Sequence, residues 1–272
     1  LFLIVSTGVI AQREMTWWGF GYYNGLNFEK VINGNAVLGK PDWTEMPMNT
    51  NGGTFCMSDA DGNFLLASDG ANAYSSDGNI IENGNMLLGE RSSLQAGIIV
   101  PMPRSDRYYY LFTTAGKQKA EYPAGIRYSI VDMEEKKILS DKKNVRVNNH
   151  SNIPILNTSG NISVVSHKNG IDYWIVNRSL NYFQIWLLTA EGISSEPKIY
   201  DLGYNPQWNG DAEGSGFRGT SKFSPDGRWI VNFSNSHKDE KTTVFCIAGF
   251  DRETGEVNDP QWVTLFNNNA TL

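Results

Sequence analysis

The sequence predicts an all-β fold built from repeated antiparallel units, and three observations predict it. Turn formers are abundant: the 272 residues include 28 Asn, 27 Gly and 10 Pro, about a quarter of the chain, where ordinary usage is about 7% Gly and 5% Pro. Aromatic residues make up 12%, and short aromatic and β-branched runs alternate with those turns, as short strands do. Helical periodicity is not sustained anywhere along the chain. Helical bundles, coiled coils and disulfide-stapled mini-proteins are excluded. With 40% hydrophobic and 19% charged residues, the chain has the material for a core and too little charge for disorder.

The elements follow in order. Residues 1–11, LFLIVSTGVIA, are almost wholly apolar. They are too short to span a bilayer and read as the end of a secretory leader, with Val9 and Ala11 at the −3 and −1 positions of a cleavage site. Residues 12–272 then form the β-domain, which the missing initiator Met suggests is recorded without its true start. Strands are expected at 15–20, 26–28 and 36–38. Next comes a recurring pattern of apolar strand, polar turn and second apolar strand, at 56–67, 98–112, 164–176 and 222–233. Its turns centre on Gly62, Asp106, Gly170 and Gly227. A third strand follows each hairpin, at 71–75, 125–132, 181–188 and 242–250. A fourth, more polar strand closes each unit, at 85–88, 137–147, 197–202 and 256–265. Four antiparallel strands recurring at roughly 40–60 residues is the signature of a β-propeller blade. Each such sheet buries its two apolar faces only by stacking on its neighbours. The predicted fold is therefore a β-propeller of four-stranded antiparallel blades, about four of them present, plus a partial N-terminal closing blade.

Charge and cysteine content limit the partners. Lys and Arg number 23 against 29 Asp and Glu, a net charge of −6, which opposes binding to a phosphate backbone. The basic residues between Lys136 and Arg146 mingle with Glu134, Glu135 and Asp141 and read as a solvated strand edge. No later segment is apolar enough to span a membrane. Cys56 and Cys246 either form one long-range disulfide or are two thiols acting as small hydrophobes, and their apolar flanks favour the thiols. No CxxC or Cys/His cluster exists for a zinc site. Neither a metal nor an organic cofactor is expected.

Several stretches resemble a known family. They are the run Gly53 to Gly70 (GTFCMSDADGNFLLASDG), then Asn83-Gly84, Leu87 to Gly89, Ser92 to Gln95 and Ile98 to Pro101. The strand Tyr108 to Thr113, then Arg127 to Asp132 and His167 to Trp174, continue the likeness, and Trp17 to Gly21 with Gly25 to Phe28 begin it. Together they resemble the N-terminal β-propeller of large, secreted, gliding-motility-associated surface proteins exported by type IX secretion. The resemblance covers nearly all of residues 15–265. It implies a WD40/YVTN-like propeller, secretion and surface display, with further domains downstream. A family propeller would continue past Leu272, so the sequence reads as a piece cut at both ends, with an open face on its last blade. The resemblance implies no catalytic residues.

Candidate chemistry is sparse. His150, His167 and His237 each lie in or beside polar turns, and no pair has the spacing of a helical metal site. No Gly-x-Ser-x-Gly elbow is present. Because several propellers are glycosidases working with paired acids, Glu45, Asp59, Asp61, Asp69, Asp172, Asp211 and Glu213 are candidate carboxylates. Asp211 and Glu213, in a Gly-rich loop, are the leading binding-site candidates, against turn chemistry for the rest. Asp59 to Asn63 resembles the start of a calcium loop but lacks its distant Glu and reads as a hairpin turn. Trp17, Trp18, Tyr22, Tyr23, Trp174, Trp186 and Trp229 could line a sugar face, but their strand positions assign them to packing between blades. Ser92, Ser93 and Gln95 are expected to satisfy backbone groups between blades. The function expected is an extracellular or cell-surface binding or scaffolding module, adhesin-like, recognising glycan or protein through loops. The alternative is a propeller hydrolase or lactonase acting on saccharides or sugar lactones.

Overall fold

The computed structural model describes residues 13–35, 39–93, 95–115, 125–148, 160–179, 182–203, 220–235 and 242–266. The fold is all-β: strand occupies 49% and helix 6%. Five antiparallel sheets follow one another along the chain. The first contains β1 (Trp17–Gly19), β2 (Asn24–Asn27) and β3 (Asp42–Glu45), with a one-turn helix, α1 (Glu29–Ile32), between the last two. The second contains β4 (Phe55–Ser58), β5 (Phe64–Ser68) and β6 (Ala73–Ser75). In the third, β7 (Gly97–Pro101), β8 (Tyr108–Ala115) and β9 (Gly125–Asp132) are followed by β10 (Lys137–Ile138) and β11 (Val145–Arg146), which both pair with β9. The fourth repeats this plan with β12 (Ser163–Ser166), β13 (Tyr173–Ser179) and β14 (Tyr182–Thr189), the last pairing with both β15 (Gly192–Ile193) and β16 (Lys198–Asp201). The fifth is a simple meander of β17 (Thr220–Phe223), β18 (Trp229–Asn235), β19 (Thr242–Phe250) and β20 (Val257–Phe266).

All four predicted hairpins form, and two third strands, β9 and β19, have the predicted limits. The fourth strands differ. Residues 85–88 make no ladder, because Asn83 and Met86 adopt positive φ of 60° and 54° and break the extended run. Their backbone is satisfied elsewhere: the Leu88 N–H donates to Asn144 Oδ1, and Asn144 Nδ2 donates to the Met86 carbonyl. The strand expected at 137–147 is split into β10 and β11 by a 3-10 turn at Ser140–Lys142 and by Asn144 at φ 55°. Near the N-terminus a strand forms at Asp42–Glu45 that sequence reading missed. The strand expected at 36–38 and the leader expected at 1–11 lie outside the described residues.

Packing explains why every long strand is apolar on both faces. Side chains alternate along a strand with period two, so β8 sends Leu111 to one side and Tyr110 and Phe112 to the other. Leu111 packs with Leu66, Ala73 and Leu87 of the second sheet region. Phe112 packs with Ile162, Ile175 and Trp186 on the fourth-sheet side. The fourth sheet repeats the arrangement, turning Trp174, Val176 and Phe183 toward Ile230, Cys246 and Phe250 of the fifth. Met46 and Met48 close the gap between the first and second sheets against Ala67 and Tyr74. The fifth sheet's other face, with Trp229 and Phe233, is exposed.

The leading strands of successive sheets are neighbours: β1 by β4, β4 by β7, β7 by β12 and β12 by β17. Side chains stitch them. Thr54 Oγ1 donates to the Gly19 carbonyl at 2.7 Å, Ser93 Oγ to Gly160 at 2.7 Å and Ser163 Oγ to Ser221 at 2.5 Å. Gln95 Nε2 donates to the Ile162 carbonyl. The role expected of Ser92, Ser93 and Gln95, satisfying backbone groups across units, is what Ser93 and Gln95 do, whereas the Ser92 hydroxyl donates to the Glu90 carboxylate two residues away.

Cys56 and Cys246 are free thiols on different sheets. Burial pushes both up to about 11, so neither is a nucleophile at neutral pH.

One ion pair predicts an acid limit to stability. Arg107 grips Asp132 with two bonds, Nε to Oδ1 at 2.9 Å and Nη2 to Oδ2 at 2.5 Å, tying the start of β8 to the end of β9. Those bonds, outweighing burial and aided by backbone N–H groups, hold the Asp132 carboxyl below its usual range. A depressed folded pKa means the stabilisation is complete above the unfolded value of about 3.9 and is lost as pH falls through the folded value. Acid unfolding followed by tryptophan fluorescence should therefore begin at higher pH in Arg107→Gln than in the parent, with the two differing little in how their stability varies above about pH 5.

Candidate functional site

The sequence around the β1–β2 connection is Gly21-Tyr22-Tyr23-Asn24-Gly25. The Asn24 N–H donates to the Gly21 carbonyl at 3.3 Å, and the Phe20 N–H donates to the Asn24 carbonyl at 2.8 Å. Tyr22 and Tyr23 have φ of 57° and 61°, the pair of positive values that a type I′ hairpin turn needs. Such turns ordinarily hold Asn-Gly, because a bulky side chain in the left-handed region costs about 1–2 kcal/mol per residue. The surroundings impose this conformation. The Tyr23 N–H donates to Met48 O at 2.9 Å, the Met46 N–H donates to Tyr23 O at 3.0 Å, and Asn24 Nδ2 donates to Tyr22 O at 2.7 Å. At Gly21 a Cβ would lie 1.8 Å from Thr50 O, so only glycine lets the turn approach the 46–54 loop this closely.

This strained turn projects its rings into solvent: Tyr22 is 66% exposed and Tyr23 47%. Each lines a different cleft. The Tyr22 cleft, of about 800 Å³, is walled by Asn49–Asn51 on one side and by Met86, Leu88 and Arg91 on the other. The Tyr23 cleft, of about 750 Å³, is bounded by Trp17, Phe64 and the carboxylates of Glu29, Glu45 and Asp77. Asp77 is held down to about 2 by hydrogen bonds from Ser75 and from the Asn79 backbone, and its oxygens serve that turn.

Arg91 is the cation of the first cleft. Its side chain is 46% exposed, while its partner Asp69, 2.7 Å away, is fully buried at 0%. Asp69 Oδ1 also accepts the Ala71 and Asn72 N–H groups at 2.9 and 2.8 Å, and Tyr74 Oη donates to Oδ2 at 3.4 Å. Among the described residues, the guanidinium makes its contacts through Nη2, to Asp69 and to the Asn49 carbonyl. Nη1 and Nε make no contact with the described residues. Chemically, the cleft offers N–H donors, side-chain amides, a hydroxyl and an open aromatic face. Its nearby carboxylate, Asp69, is buried and engaged by Arg91 and by two backbone N–H groups.

The sequence candidates scatter. Asp59 organises its own hairpin, accepting the Asp61 and Asn63 N–H groups at 2.9 and 2.8 Å, as a turn residue should. Asp172 accepts from Asn169 Nδ2 at 2.7 Å in another hairpin. His167 sits in that same turn, its ring bonded to the Glu253 carbonyl and the Asn169 N–H. Glu45 lines the Tyr23 cleft as an exposed group, and Asp61, also exposed, lines a small pocket with Arg13, Glu29 and Asn33. Asp211, Glu213, His150 and His237 lie outside the described residues. The packing role assigned to the aromatics holds for Trp174 and Trp186, which are buried, and fails for Trp18, Tyr22, Tyr23 and Trp229, which are exposed. Around Tyr22 and Tyr23 the flanking Gly21 and Asn24 were the missed signal: they mark a hairpin tip, where a side chain has no sheet to pack on.

Among the described residues no helix is long and apolar enough to cross a membrane. No family model and no curated protein matches the sequence. Among solved structures, the chain is similar to the endo-arabinase of Bacteroides thetaiotaomicron VPI-5482, with 15% identity, TM-score 0.45, and 81% of this chain and 82% of that one covered. It is also similar to a puromycin-hydrolysing peptidase of Mycobacterium tuberculosis, with 11% identity, TM-score 0.39 and 95% of this chain covered; this chain spans 34% of that one. A member of the duf4221 family from Bacteroides vulgatus matches at 11% identity and TM-score 0.39, with 89% of this chain and 75% of that one covered. Likenesses this distant carry no activity from one chain to another.

Proposed function

We propose that this chain is a binding module, built of β-propeller blades and displayed outside the cell, that holds carbohydrate in the Tyr22–Arg91 cleft. The blade reading rests on sheets stacked face to face with their leading strands side by side. The extracellular reading rests on the leader-like residues 1–11 and on the family resemblance of the sequence. The observation that carries the binding reading is the turn itself. A fold that places two tyrosines where Asn-Gly would be unstrained, and then exposes both rings, keeps them for something other than stability. An open aromatic face beside amide and guanidinium donors suits a sugar ring, whose C–H face stacks while its hydroxyls accept.

The hydrolytic alternative depends on convergent acids. Between the leading strands, the buried polar side chains among the described residues include Ser93, Thr114, Asn161, Ser163 and Ser221, groups that suit binding. A glycan array probed with the parent and with Tyr22→Ala tests the reading. Saccharide binding is expected, weakened about tenfold by the loss of one stacked ring. Turnover of a saccharide or lactone panel, or binding confined to peptides, would overturn it.

A further inference from the structure

We infer that the cleft selects a neutral saccharide presenting adjacent hydroxyls, and disfavours acidic ones; this rests on the cleft being the binding site. The argument is electrostatic. A lone arginine in a cleft invites a carboxylate, but Arg91 carries its counter-ion with it. Asp69 sits 2.7 Å behind the guanidinium and is wholly buried, where water screens it least. The pair presents donors to the cleft without net charge. A ligand carboxylate would gain the attraction of the guanidinium and suffer the repulsion of Asp69 through it. A neutral hydroxyl pair accepts from Nη1 and Nε and meets no such repulsion.

The rest of the wall agrees. Asn49, Thr50, Asn51 and Ser92 are uncharged, and Tyr22, Met86 and Leu88 are largely apolar. The chain's net charge of −6 adds a field that repels polyanions. The second cleft across the Tyr22–Tyr23 turn is lined by Glu29, Glu45 and Asp77, so an acidic chain running past the turn would meet carboxylates there too.

The experiment is calorimetric titration of neutral oligosaccharides (gluco-, xylo-, manno- and galacto-series) against oligogalacturonate and oligoguluronate of equal length. A neutral series should bind, with little dependence on NaCl, while uronates bind at least about tenfold more weakly. Asp69→Asn keeps an oxygen for the Ala71 and Asn72 N–H groups and removes the counter-charge. It should raise uronate affinity and make it salt-sensitive. Should Asp69→Asn fail to fold, the neutral-to-uronate ratio and the salt dependence of the parent decide the matter. Uronates binding the parent more tightly than every neutral series would overturn the selectivity and leave the cleft reading standing. Binding of no saccharide at all would overturn both.

Discussion

Trp186→Ala should lower stability by about 3–5 kcal/mol, the range for emptying a fully buried aromatic site. Trp186 has no exposed surface and lies in the cluster that joins the third and fourth sheets, against Phe112, Ile126 and Ile175. Its indole Nε1 also donates to the Asn148 carbonyl at 2.9 Å, so truncation leaves a cavity and an orphaned acceptor together. In a chain of this size the loss corresponds to a fall in Tm on the order of 10 °C. Trp229→Ala is the contrast. Trp229 stands on the open face of the fifth sheet, 49% exposed, and its removal should stay within about 1 kcal/mol. Thermal unfolding by circular dichroism checks both. Equal losses would mean that the fifth sheet's face is covered in solution, and that stacking between sheets is not the source of stability assigned to it here.

The contrast shows what the sequence made legible. Hairpins were readable because Asp-Gly and Asn-Gly turns sit between apolar runs, and the chemistry of such turns is local: Asp59 and Ser224 bond within their own hairpins. Interior strands were readable because their runs are apolar on both faces, as in 108–115 and 182–189. Outer strands were harder. Lys137–Ile138 and Val145–Arg146 are too short and too polar to carry a period, and what separates them is a 3-10 turn at Ser140–Lys142 and a left-handed Asn144. The cleft was harder still, because it is made by residues far apart in sequence. Nothing near Asp69 announces that Arg91 will cover it, and nothing in Tyr22-Tyr23 announces φ above zero. Gly21 and Asn24–Gly25 bracket the turn, but the contacts that force it come from Met46 and Met48 in the next loop. Exposure of an aromatic is likewise a tertiary fact: Trp186 and Trp229 sit in similar strand contexts, and only the presence of a neighbouring sheet separates their fates.

The turn supplies the second large effect, of opposite sign. Replacing Tyr22 by Asn and Tyr23 by Gly restores the residues a type I′ turn favours. Relief of strain at two left-handed residues contributes about 2–4 kcal/mol, and the extra freedom of glycine in the unfolded chain returns about 1 kcal/mol of it. Lost ring contacts subtract little at Tyr22, which is mostly exposed, and more at Tyr23, which touches the second cleft. A net gain of about 1–2 kcal/mol should remain, visible as a Tm higher by roughly 5 °C. The same variant should weaken saccharide binding about tenfold, as Tyr22→Ala does, since the ring that lines the cleft is gone. Stability and binding moving in opposite directions is the mark of strain kept for a ligand. A turn held only for the fold would show the reverse pairing: a lower Tm, because the tyrosines packed against something, and binding unchanged. The single variants separate the contributions. Tyr23→Gly, at the second central position, should provide most of the stability, and Tyr22→Asn, facing Arg91, most of the loss in affinity.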